Sequence, residues 1–134
     1  MDPEAERLEA FHSLLRTYLW TIGVLGGSAD RQCELMGNHN VAWELRDDTR
    51  AGRALITEAP AKFFTDDQVR MMMTLAEAID QIPESVIGLA RGEVGNAEAM
   101  QAVAWRPVRD LALRVLTALE PAAQENAWYL RGEQ

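Results

Sequence analysis

The stretch Asp2–Gly27, DPEAERLEAFHSLLRTYLWTIGVLGG, decides how the chain is to be read. Asp2 is a good helix N-cap, and Pro3 suits the first helical position, where a missing N–H has no bond to lose. Glu4 and Glu6 complement the positive end of the helix dipole. Behind them Leu8, Phe11, Leu15, Tyr18, Ile22 and Leu25 recur at alternating steps of three and four, which draws one continuous apolar face. Leu14 and Leu19 widen it, and Gly26-Gly27 is expected to end the helix with a left-handed cap. A helix with so long an apolar face must be covered by others.

The rest of the chain supplies them. Ser28 or Asp30 starts a short second helix through Met36, interrupted by Gly37-Asn38-His39-Asn40. A third runs from Val41, with Leu45, Leu55 and Ile56 inward, Trp43 on a flank and Gly52 weakening its far end; residues 58–61 read as a connection. Thr65-Asp66-Asp67-Gln68 is a capping box, and Val69, Met72, Met73, Ala76, Ile79 and Ile82 form the stripe behind it, stopped by Pro83. A short turn is expected over 84–90, with Gly92 and Gly95 bracketing a loop before Asn96 caps a helix over 97–104. Pro107 falls in the first turn of a last helix that buries Val108, Leu111, Ala112, Val115 and Leu119 and ends at Pro121. Segment 122–134 carries Trp128-Tyr129-Leu130 and is expected to dock on the body or complete an interface. Only residues 54–57 resemble a strand. The prediction is all-α: one domain over 1–134, a bundle of five or six helices.

Composition narrows function by exclusion. The 134 residues carry a net charge of -8, with a pI near 4.7. Nucleic acid and anionic membranes repel such a surface at long range, whereas a basic protein is attracted. The start of the chain is acidic where a secretory signal is basic, and no apolar run approaches membrane-spanning length. With a lone Cys33, this points to a reducing, cytoplasmic setting. Among 13 basic residues only Lys62 is lysine, the bias of a GC-rich, bacterial coding sequence.

Reactive constellations are sparse. His12 sits beside the first apolar face, and His39 follows Cys33 and Glu34 without the CxxC or HxxxH spacing of a metal site. There is no GxSxG, phosphate-cradling glycine loop or HExxH. No metal or cofactor is predicted. Glu6-x-x-Glu9 and Glu44-x-x-Asp47, with Asp48 adjacent, each place two carboxylates on one helix face. This layout resembles the ExxE…ExxD arrangement of all-alpha nucleoside triphosphate pyrophosphatases, a resemblance implying carboxylates that hold magnesium against phosphates. It departs from that family in the much longer separation of the motifs and in lacking the basic and aromatic residues around base and phosphates. Glu77-x-x-Asp80 makes a third such pair, and the plainer expectation is solvated carboxylates paired with Arg46, Arg50 or Arg7.

Two features point to contact surfaces instead. Trp20, Trp43, Trp105 and Trp128 are many for this length; two are expected in the core, leaving others where tryptophan anchors interfaces. Met71 falls on a flank, while Met72 and Met73 belong to the stripe. The expected function is therefore a non-catalytic acidic module that binds a basic protein, of the kind formed by immunity proteins and antitoxins. Its predicted contacts are Trp43, Glu44, Asp47 and Asp48, then Asp66 and Asp67. Alternatives are an oligomeric accessory subunit, with a homodimer, and the magnesium-dependent pyrophosphohydrolase implied by the resemblance.

Overall fold

The computed structural model describes residues 2–36, 40–88 and 92–124. Among these described residues eight helices run in order: α1 Pro3–Leu25, α2 Ala29–Met36, α3 Val41–Arg50, α4 Gly52–Glu58, α5 Asp66–Asp80, α6 Glu84–Ile87, α7 Gly92–Gln101 and α8 Trp105–Ala118. No strand occurs among the described residues, and residues 54–57 lie within α4. The class agrees with expectation; the helix count is higher.

The excess comes from breaks whose causes are local. The expected third helix divides at Ala51, whose N–H turns back to Asp48 O. Gly52 follows because a Cβ there would stand 2.8 Å from Cε1 of the buried Tyr18 ring. The expected loop between Gly92 and Gly95 is instead the start of α7, and Asn96 lies inside that helix rather than capping it. Its buried side chain is used elsewhere: Asn96 Oδ1 accepts from Val41 N–H at 3.0 Å, at the start of α3. Pro121 does not end the last helical segment, since residues 120–124 remain helical and Ala123 N–H bonds to Leu119 O. Proline is tolerated there because a first turn needs no N–H from it.

α1 is the central element and packs on α8, α3, α4 and α2. Phe11, Leu15, Tyr18, Ile22 and Leu25 are buried as its pattern requires; Leu8, at the head of the stripe, stays 36% exposed. Asp2 Oδ1 caps it by accepting from Glu4 N–H at 3.0 Å. Its other end has no left-handed cap: Gly26 is right-handed (φ -74°), and its lack of a side chain makes room for Leu113 of α8. Gln32 from α2 closes that end. Its Nε2 donates to the carbonyls of Val24, Leu25 and Gly27, while Arg109 of α8 donates to Gln32 Oε1 and to Met100 O. The last two carbonyls of α1 and that of Gly27 beyond it thus find a donor in a side chain buried completely.

α5 begins with the expected capping box: Thr65 Oγ1 accepts from Gln68 N–H, and Gln68 Oε1 accepts from Thr65 N–H. Met72, Ala76, Ile79 and Ile82 are buried, as is Leu75, which the predicted stripe omitted; Val69 and Met73 are only partly covered. α8 packs along α5 and buries Trp105, Val108, Ala112 and Val115, with Leu119 just beyond and Leu111 at the edge. Trp105 is the core tryptophan among the described residues, Trp20 and Trp43 being exposed; Trp128 and the apolar tail lie outside the described residues.

Candidate functional site: the outer face of α3

Asn40 starts α3, its side-chain oxygen accepting from Trp43 N–H at 2.7 Å while its Nδ2 donates to Ile87 O. This double attachment, with the Asn96 bond to Val41, orients the first turn. Val41, Ala42, Leu45 and Thr49 are buried on the inner face. Residues one turn apart share a face, so the opposite side presents Trp43 with Asp47, and beside them Glu44 with Asp48. Trp43 is 46% exposed, and Asp47 is exposed as well.

The charges on α3 divide between its sides. Arg46, almost wholly buried, reaches Glu84 Oε1 at 2.6 Å. Arg50 reaches Asp80 Oδ1 at 2.6 Å, and Arg53 of α4 takes the other oxygen at 2.9 Å. Of the arginines expected to neutralise carboxylates, Arg46 and Arg50 do so, but across to α6 and α5, while no ion pair of Arg7 occurs among the described residues. No arginine ion pair among the described residues reaches Glu44, Asp47 or Asp48. Partial burial raises the Asp48 pKa and the neighbouring Asp47 charge raises it further. Burial would also raise that of Asp80, but hydrogen bonds and charge from Arg50 and Arg53 outweigh it and hold the carboxyl below its ordinary value.

The other predicted contacts lie elsewhere. Asp66 and Asp67 are exposed in the first turn of α5, and Asp67 pairs with Arg70 at 2.7 Å. They occupy the opposite end of α5 from Asp80, roughly 20 Å away along a helix of this length. They form a separate patch from the outer face of α3.

Among the described residues, no three His, Cys, Asp or Glu side chains come together as metal ligands. Glu6 and Glu9 are exposed on α1, away from its buried stripe, and Asp80 is engaged by two arginines. His12 is buried with its ring edge against Phe11, centroids 5.5 Å apart, in an aromatic cluster that includes Phe63. Cys33 is half-buried, and burial pushes its thiol pKa up, with the Asp30 charge adding and Arg109 opposing. Glu34 pairs with Arg31; His39 lies outside the described residues.

Sequence reasoning missed two buried polar residues, Asn96, which bonds the start of α3, and Gln32, which closes the end of α1. Asn96 reads as a helix cap by type, and nothing in the pattern singles out Gln32; only their burial separates them from ordinary polar positions. No protein family, curated protein or solved structure matches this chain. No described helix is long and apolar enough to cross a membrane.

Proposed function

We propose that this domain is a non-catalytic, acidic protein-binding module of immunity-protein or antitoxin type, which covers a basic partner with the outer face of α3. The observation that carries the reading is the half-exposed Trp43 beside Glu44, Asp47 and Asp48, three carboxylates to which the protein's own ion-pairing arginines do not turn. An indole supplies contact area with little side-chain freedom to lose, and acids left unpaired in the free protein can pair in a complex. The net charge of -8 adds long-range attraction toward a cationic surface.

The test is genetic and then physical. Deleting the gene in its host, with the adjacent reading frame intact, is expected to arrest growth. The wild-type chain should restore it, and a Glu44→Gln, Asp47→Asn, Asp48→Asn triple variant should not. A viable deletion, or full rescue by the triple variant, overturns the reading. Purified wild-type chain should bind the neighbouring product with an affinity that falls as salt rises.

A second reading, an oligomeric accessory subunit, is favoured by a different surface. Trp20 is 51% exposed on α1, and an open apolar groove of about 450 Å³ between α5 and α8 is lined by Met71, Leu113 and Ala118. It predicts a mass that doubles with concentration in light scattering; a monomer at millimolar concentration excludes it.

A further inference from the structure

A cleft of about 540 Å³ lies between the first turns of α1 and the end of α4. Tyr18 packs on Gly52 at the start of α4, whereas Leu8 and Phe11 line the cleft with Glu58 and Pro60 beyond its last turn, so the two helices run antiparallel. The cleft is therefore at the end of α1 away from Gln32, and is distinct from the outer face of α3.

Its lining joins two properties. Leu8 belongs to the α1 stripe but stays 36% exposed, so with the exposed Pro60 it forms an apolar wall open to solvent, floored by the buried Phe11. Asp2, Glu4 and Glu58 surround that wall, with Arg7 as the one cation among the described lining residues. The last turn of α4 contains no basic residue, so the negative end of its dipole is unopposed at Glu58. An apolar stem carrying a positive charge matches both the wall and the rim; an acidic or purely apolar ligand matches only one.

We propose that this cleft docks a cationic segment of another protein chain, seating an arginine whose alkyl stem lies on Leu8 and Pro60 and whose guanidinium meets Glu4 and Glu58. The site stands independently of the α3 reading, because neither its residues nor its test involve that face.

Titration of the ¹⁵N-labelled full chain with acetyl-Leu-Arg-Leu-Arg-amide tests it. Saturable shifts are expected at the amides of Ala5, Leu8, Phe11 and Glu58. A Glu4→Gln, Glu58→Gln variant, altered only at exposed positions, should weaken binding about fivefold. Acetyl-Gly-Arg-Gly-Arg-amide should bind more weakly, and acetyl-Leu-Glu-Leu-Glu-amide should cause no shifts. Shifts confined to 43–48 or spread over the whole surface overturn the proposal, as does an affinity that the double variant leaves unchanged. Failure here leaves the growth-rescue result untouched, and failure of growth rescue leaves these shifts in place.

Discussion

On the side of α3 that faces α5 and α6, Arg46 and Arg50 each find a carboxylate; on the outer side, within one turn, Glu44, Asp47 and Asp48 find no arginine. The two sides share a backbone, a chain segment and a solvent, so helix propensity cannot account for the difference. Pairing across to another helix fixes α3 in the bundle. The outer carboxylates make no such cross-helix tie, although Glu44 still faces the positive end of the α3 dipole from its first turn. The comparison teaches that in an acidic protein the charges worth testing for contact are those left without an internal partner, which is the premise of the proposed function.

The largest effect should come from the paired side. Arg46→Ala removes a side chain that is nearly all buried, together with its bond to Glu84. Glu84 is itself well exposed and is not stranded by the change. The loss is lost packing of the stem plus one charge-assisted bond, about 2 kcal/mol in urea unfolding. A loss below about 0.5 kcal/mol would erase the distinction between the two sides.

Next is Asp80→Asn, which disconnects Arg50 and Arg53. The groups are about a third exposed, so solvent screening limits the cost at neutral pH to about 1 kcal/mol. The pH dependence carries the sign. Asp80 has a folded pKa below its unfolded one, so its contribution is complete above the ordinary carboxylate range and is lost as pH falls through the folded value. The wild-type advantage over Asp80→Asn should therefore shrink below about pH 4. A difference independent of pH would show that the arginines do not act through that charge.

Trp43→Ala should change stability by less than about 0.5 kcal/mol, because the side chain is half in water and truncation opens no internal cavity. Measured by thermal unfolding, a loss of several degrees would assign Trp43 to the core instead.

Much of this architecture was legible in the sequence, and the reason is local. The α1 stripe, the Asp2 cap and the Thr65–Gln68 capping box depend on residues within a turn or two of each other, so spacing alone reports them. What spacing could not report is decided by distant partners. Leu8 belongs to the stripe by period, but the described residues leave it 36% exposed. Gly26 is required by Leu113, many residues away, and not by a left-handed turn. Asn96 is a helix-starting type that the fold uses to hold the start of another helix. The acids proposed for contact were readable as candidates on α3, with Trp43 on a flank. Their separation from Asp66 and Asp67 follows from the course of α5, and their lack of arginine partners from where Arg46 and Arg50 reach.

Asp48 offers the sharpest form of the comparison, because its titration runs opposite to that of Asp80. Burial and the charge of Asp47 raise its folded pKa, so ionised Asp48 is an energetic burden in the folded state. Its contribution to stability is greatest below the unfolded pKa and is lost as pH rises through the folded value. Asp48→Asn should therefore be more stable than wild type at pH 7, by about 0.5 kcal/mol or less for so small a surface change. That gain should disappear as acid protonates the wild-type carboxyl. Chemical denaturation of the two Asp→Asn variants from pH 3 to 7 places them side by side: destabilising at position 80, stabilising at position 48, both converging on wild type in acid. Should Asp48→Asn instead destabilise at neutral pH, the carboxylate is serving the fold, and the outer face of α3 loses its claim to be held in reserve for a partner.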